Sequence, residues 1–280
     1  MLLLSRLPPA GYPGRPGPGP CPSPSRIQTG RLVPVPARTA LFLQARRDPA
    51  LVVLEGFHPL KHALRFGAQL VAAVTPDRAS VLGLAAALAP DLLADLPGLL
   101  EEMPAAEFAR LAPSPPPTPV IAVAVRPAGD ATTVLARPGP VVLLDRPNHL
   151  GNLGAAVRAA AAAGAAGVLT TGERDPWAPA ALRGSAGLHF ALPVCRVPAL
   201  PGTSRPLVAV HPDGASLWTA TLPDDAVFAF GGERRGLHPD LLAAAAATVG
   251  LPMEPGVSSL NLATAAAVVL YEARRRQTGP

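Results

Sequence analysis

Apolar and polar positions alternate along the chain at two periods, and the switch from one to the other marks out its elements. Between residues 39 and 125 the pattern predicts a helix at 41–46, an apolar strand at 51–54, a helix at 58–65 and a second strand at 70–74. Helical periodicity returns between residues 82 and 111, and a β-rich run at 119–125 follows the breaker Pro-Ser-Pro-Pro-Pro-Thr-Pro. A first α/β unit is expected to close there, covering residues 37–125. Residues 126–137 read as a linker. Beyond them strands are predicted at 141–144, 167–171, 207–210, 227–230 and 248–251, with helices following Asn152, Ala178, Pro239 and Ser259. Such alternation predicts a second α/β domain, residues 138–280, built on a mostly parallel sheet.

Composition supports two modest folded units in 280 residues, because 49% of the chain is apolar and only 15% charged. The exception is the start. Residues 1–36 hold ten prolines among Gly and Ser, so no regular ladder can persist there, and a disordered leader is expected. The leader also distorts the charge. Residues 1–47 carry seven Arg and no acid, so the net +5 becomes 17 basic against 19 acidic groups in the remainder. Contact with nucleic acid must therefore come from local Arg clusters and not from a broadly basic body. Lys61 is the single lysine.

Cys21 and Cys195 are the only cysteines, which excludes a disulfide framework and suits a reducing compartment. Neither has neighbours with metal-ligand spacing, so no metal site is expected. The Ala-rich runs are broken by Arg, Asp, Gly or Pro, so no membrane span is expected, and the cytoplasm is the expected location.

Three motifs carry chemistry. The first, Asn152-Leu-Gly154-Ala-Ala-Val-Arg158, follows a strand and opens an Ala-rich helix. Asn152 is placed to cap that helix, Gly154 admits another backbone or a ligand, and Arg158 offers a planar, permanently charged fork to a phosphate. The second, Gly231-Gly232-Glu233-Arg234-Arg235-Gly236-Leu237, sits at the C-terminal end of a strand, the edge where open α/β sheets bind ligands. The third runs from Leu251 through Met253, Ser258, Ser259, Leu260 and Asn261 into the last helix. Either serine can cap it, and Leu260, Ala263, Ala267, Leu270 and Tyr271 form an apolar stripe. Each motif alone also describes an ordinary capped helix or a solvated Gly-rich turn. A dinucleotide site fails on spacing, since Gly151 and Gly154 do not make G-x-G-x-x-G.

Taken in order, the three resemble the TrmH-type branch of the SPOUT methyltransferases, with N-x-G-x₃-R, then G-x-E-x-x-G, then P-M-x₅-S-L-N at a helix start. Arg183-Gly184-Ser185-Ala186-Gly187 and Leu192-Pro193-Val194 are similar to that family's middle region. The resemblance covers about residues 138–277. Leu54-Glu55-Gly56 within residues 51–65 is similar to the family's smaller N-terminal domain, ribosomal-protein L30e-like and RNA-binding. What the resemblance implies is a trefoil-knotted C-terminal α/β domain that binds S-adenosylmethionine and methylates a ribose 2′-hydroxyl in rRNA or tRNA, working as a homodimer. It further implies cofactor contacts at Gly231, Leu251, Leu260, Gly236 and Met253. Arg158 takes the family's phosphate-engaging position, and Asn152, Glu233, Ser259 and Asn261 its supporting polar positions.

Asn148 is a second candidate for the motif's asparagine, and His149 a candidate base, although a loop histidine is usually just solvated. Arg234 and Arg235 are candidates for RNA phosphates. Two rival functions share this sequence pattern: a noncatalytic RNA-binding protein that keeps the fold, and a methyltransferase acting on a base. The intact Asn152, Arg158, Glu233 and Asn261 argue against the first; product analysis separates the second.

Overall fold

The computed structural model describes residues 35–278; most of the proline-rich leader, Cys21 included, lies outside them. Val35 and Pro36 already belong to a helix, α1 (Val35–Ala45). It is followed by β1 (Leu51–Glu55), α2 (Phe57–Arg65), β2 (Leu70–Thr75), α3 (Arg78–Leu88), α4 (Leu96–Leu99), β3 (Leu100–Glu102), α5 (Ala105–Phe108) and β4 (Ile121–Val125). The four strands make one sheet in the order β1-β4-β2-β3, with β4 antiparallel to both neighbours and β3 parallel to β2. Period-two alternation fills both faces: Val52, Leu54, Ala122 and Ala124 turn to α2 and α3, while Val53, Val74, Ile121 and Val123 turn to Phe42 of α1 and Phe108 of α5. The helical pattern expected between residues 82 and 111 is interrupted. Pro90, Pro97 and Pro104 remove donors there, leaving two four-residue helices and the short strand β3, which the sequence pattern did not reveal.

The second unit comprises α6 (Ala131–Ala136), β5 (Val141–Asp145), α7 (Leu150–Ala163), β6 (Gly167–Thr170), α8 (Pro179–Gly184), β7 (Val194–Arg196), β8 (Leu207–Ser216), β9 (Val227–Gly231), α9 (Pro239–Ala243), β10 (Ala247–Gly250) and α10 (Leu262–Thr278). All its strands are parallel, in the order β10-β8-β9-β5-β6-β7. One face, with Val142, Leu144, Val208 and Phe228, is covered by α7 and α10. The other, with Val141, Leu143, Ala209 and Ala229, packs against Val134 of α6 and the partly buried leucines of α9. Residues 126–137, read as a linker, thus include a packed helix, capped by Asp130 accepting from the amides of Thr132 (3.1 Å) and Thr133 (3.2 Å). No helix among the described residues is long and apolar enough to cross a membrane.

Three local expectations are corrected. α7 starts at Leu150 with His149 in the cap position, so Asn152 lies in its first turn and does not cap it. α10 starts at Leu262, and its first amides are met by Asn261, not by Ser258 or Ser259: Oδ1 of Asn261 accepts from the amides of Ala263 at 2.9 Å and Thr264 at 3.4 Å. The buried stripe of α10 is Leu262, Ala266, Val269, Leu270 and Ala273, while Leu260 and Tyr271 are 44% and 51% exposed.

The two sheets meet through α8. Glu55, 3% exposed at the end of β1, is paired by Nη2 of Arg46 at 2.6 Å and by Arg183 of α8. α8 is in turn pressed against α7, because a Cβ on Gly154 would lie 2.1 Å from the carbonyl oxygen of Ala181 and 2.9 Å from the amide of Ser185. Gly154 therefore serves backbone approach and not a ligand. Alanine there would gain roughly 1 kcal/mol in helix propensity. Clash with a backbone that cannot move aside outweighs the gain, since overpacking costs about 1–3 kcal/mol. Gly154→Ala is expected to lower the midpoint of thermal unfolding by several degrees; an unchanged or raised midpoint would contradict this packing.

Candidate active site

At the C-terminal ends of β8, β9 and β10 the chain encloses a cavity of about 520 Å³. Its wall brings together Gly231, Gly236, Leu251, Met253, Ser259, Leu260 and Asn261, with Glu233 at the rim of the 231–237 loop. Sequence reasoning missed Val210, His211 and Pro212 on the same wall. It ended the strand at residue 210, whereas β8 continues to Ser216 with a shift in its pairing to β10. The proline inside that run was the readable signal of an irregular strand.

The 231–237 loop owes its shape to its glycines. The amide of Gly236 donates to the carbonyl of Gly232 at 3.0 Å, and Gly236 has φ +63°. A Cβ on Gly231 would sit 2.2 Å from the carbonyl carbon of Gly236, and one on Gly232 2.4 Å from the carbonyl oxygen of Arg146. No side chain can occupy either position without opening the loop.

Around the loop a hydrogen-bonded chain ties the three motifs together. Oε2 of Glu233 accepts from the Asn148 amide (2.8 Å) and Oε1 from Nδ2 of Asn152 (2.8 Å). Oδ1 of Asn152 accepts from Nδ2 of Asn261 (2.9 Å), whose own oxygen caps α10. Burial pushes the Glu233 carboxyl up, but the Asn148 amide and the Asn152 side chain outweigh it and leave the group below its ordinary range. Of the two asparagine candidates, Asn152 contributes its side chain and Asn148 its backbone.

A buried carboxylate, also missed, supports the loop from below. Asp145, 3% exposed at the end of β5, accepts from Thr171 Oγ1 (2.6 Å), from the His238 amide just past the loop (2.8 Å) and from the Arg146 guanidinium. An acid closing the apolar run Val-Val-Leu-Leu-Asp was its only trace in sequence.

Arg158 stands apart. It is exposed on α7, does not line the cavity, and its charge is felt at His58 and Lys61 of α2. Arg234 and Arg235 are exposed, and His149 makes no capping bond through its side chain. Among the described residues no cluster of His, Cys, Asp and Glu could hold a metal ion.

A parallel α/β domain with a cavity at its strand ends, walled by a Gly-rich loop and a capped helix, is the class of site that binds a small organic ligand. Residues 139–271 match the SpoU rRNA Methylase family model. A 23S rRNA (uridine(2479)-2′-O)-methyltransferase of Streptomyces viridochromogenes is 33% identical over 207 residues, 68% of this chain and 67% of that protein. A Synechocystis protein named a tRNA/rRNA methyltransferase is 37% identical over 145 residues, 49% of this chain and 53% of its own length. The chain thus spans between about half and two thirds of these curated relatives. The crystal structure of the SpoU methyltransferase AviRb from Streptomyces viridochromogenes in complex with AdoMet superposes with a TM-score of 0.70 at 26% identity, covering 86% of this chain and 98% of that one. The chain belongs to the SpoU methylase family.

The depressed Glu233 pKa fixes a sign for its contribution to stability. A carboxyl whose folded pKa lies below its unfolded value stabilises above the unfolded pKa and loses that contribution as pH falls through the folded one. Glu233→Gln is therefore expected to melt earlier than wild type at pH 7, with the gap closing in strong acid. Paired melting curves across pH test this, and a gap that is constant with pH would contradict it.

Proposed function

We propose that the protein transfers a methyl group from S-adenosylmethionine to a ribose 2′-hydroxyl of rRNA or tRNA. The observation that carries this is the convergence of all five expected cofactor positions, Gly231, Gly236, Leu251, Met253 and Leu260, on one cavity. Its volume lies within the roughly 300–1,000 Å³ of small-molecule sites. The mixture of apolar side chains, loop backbone and a few polar groups suits an adenosine joined to a charged amino acid. Relatives named as rRNA 2′-O-methyltransferases, and the AdoMet complex of a structural neighbour, point the same way.

The cofactor, when bound, supplies an electrophilic methyl group on a sulfonium. The protein's part is to place a weak nucleophile in line with it, and such positioning supplies a large share of the rate in a bimolecular transfer. Asn152 and Asn261 are locked with both amide orientations set by Glu233 at one end and the α10 amides at the other. That rigidity gives the nucleotide a fixed polar edge beside Ser259. Arg158 engages a target phosphate and acts by electrostatics; its guanidinium is already protonated and cannot accept the hydroxyl proton, which passes to solvent or to the substrate.

Arg158 does not line the cavity of its own chain, so the arrangement asks for a second copy to complete the site. Exposed Val257, Leu260 and Tyr271 along the third motif and α10, with Trp218 beside the α10 C-terminal turns, supply apolar surface for a homodimer. In this reading the chain forms the family's trefoil knot in its C-terminal domain, and the first sheet with its helices is the RNA-binding L30e-like domain. In this reading the reaction takes place in the cytoplasm.

Titration calorimetry with S-adenosylmethionine is expected to give saturable binding that Leu260→Trp abolishes; a folded wild-type protein that binds none would favour a noncatalytic RNA-binding role. With tritiated cofactor and unmodified 23S rRNA or tRNA transcripts, nuclease digestion should release a 2′-O-methyl nucleoside, and Arg158→Ala should slow its formation by about a hundredfold or more. Label in a base would assign the base-directed chemistry instead.

A further inference from the structure

The junction between the two units gathers basic side chains from both of them. α2 presents His58, Lys61 and Arg65 at i, i+3 and i+7, on one helical face. The helix is held in place by the turn after α8: Nδ1 of His62 lies 2.6 Å from the carbonyl oxygen of Ala186, and a Cβ on Gly187 would meet the carbonyl oxygen of Pro59 at 2.5 Å. The α8 turn that receives α2 is the same element pressed onto α7 through Gly154. α2 and α7 therefore flank the same α8 segment, and the charge of Arg158 on α7 is felt at His58 and Lys61 on α2.

Charge at this junction is unbalanced. Burial, then Lys61 and Arg158, holds the His58 imidazole below its ordinary range. Burial, then Arg65 and Arg158, lowers the Lys61 ammonium, with Asp91 opposing. Asp91 is already engaged by Arg65 in a two-pronged pair at 2.5 and 2.8 Å. His58, Lys61 and Arg158 have no hydrogen-bonded or ion-paired partner among the described residues. Gathering like charges costs free energy that an anion with several acceptor oxygens returns.

We propose that His58 and Lys61 join Arg158 in a phosphate-binding site that spans the two units and holds the RNA backbone beside the target nucleotide. The proposal deepens the methyltransferase reading and rests on it. The groups are chemically complementary: Arg158 contributes a planar fork, Lys61 a compact point charge on a flexible stem, and His58 a donor that gains its proton as phosphate arrives. Because α2 and α7 are fixed to each other through α8, the first unit takes part in placing the target as well as in capturing RNA.

Lys61 being the single lysine makes the test direct. An amine-acylating N-hydroxysuccinimide ester has two amines to modify, Lys61 and the N-terminus, and peptide mass spectrometry separates them. Saturating 23S rRNA transcript at low salt should slow acylation of Lys61 severalfold, and Arg158→Ala should weaken that protection. In parallel, Lys61→Ala should lower RNA affinity and flatten the dependence of log K on log salt by about one unit of slope, while keeping the wild-type cofactor isotherm. Lys61 acylated at one rate with and without saturating RNA would overturn the proposal. Cofactor titration of the wild-type protein is read separately, and its failure counts against the methyltransferase reading alone.

Discussion

The site depends on one carboxylate. Glu233 sits on a loop whose glycines leave no room for side chains, and it is the only group of that loop bonded to both the 145–150 turn and the first turn of α7. Through Asn152 its influence reaches Asn261 and so the start of α10. Two bonds of 2.8–2.9 Å, each spanning more than 80 residues in sequence, fix three segments to one another in a part-exposed setting. Such a network holds only when every member is satisfied, since each asparagine has a donor and an acceptor committed in opposite directions. The consequence is a rim that needs little reorganisation when ligand arrives.

Beneath it, Asp145 does for the core what Glu233 does for the rim. It is buried and takes donors from β5's own successor Arg146, from Thr171 after β6 and from His238 after the Gly-rich loop. Arg146 adopts φ +49°, an unusual backbone for a residue with a side chain. Its carbonyl lies where a Cβ on Gly232 would fall. The tight turn after β5 and the missing side chain after β9 are thus one steric arrangement, with Asp145 bonded to both sides.

Much of this was legible as pattern. Strands β1, β2, β4, β5, β6, β8, β9 and β10 announce themselves as apolar runs between breakers, and three ordered motifs located the cavity wall. What escaped has physical causes. β3 and β7 are three residues each, too short for a period to show. α6 was hidden among Pro and Gly, although Asp130 two residues before Thr132 is a cap signal. The α10 stripe was set out of phase because Leu260 and Tyr271 look like core by type, and only packing decides which side of a helix is covered. Asn152 was read as a cap from residue type; its partner, 81 positions away, could not be read from local sequence.

The placement of Arg158 separates two electrostatic regimes within one protein. The Glu233 carboxylate and the amides of Asn152 and Asn261 are matched to one another inside the chain, and the carboxyl is stabilised in the ionised form. Beside Arg158, burial and like charge lower the pKa values of His58 and Lys61. A matched network keeps its shape whatever is bound, which suits a pocket for a constant cofactor. An unmatched cluster gains most when a polyanion arrives, which suits capture of a long, variable RNA whose backbone is its one repeating feature. Division of the site into a rigid, balanced half and a charged, unbalanced half lets one cofactor pocket serve whichever RNA the first sheet and α2 present to it.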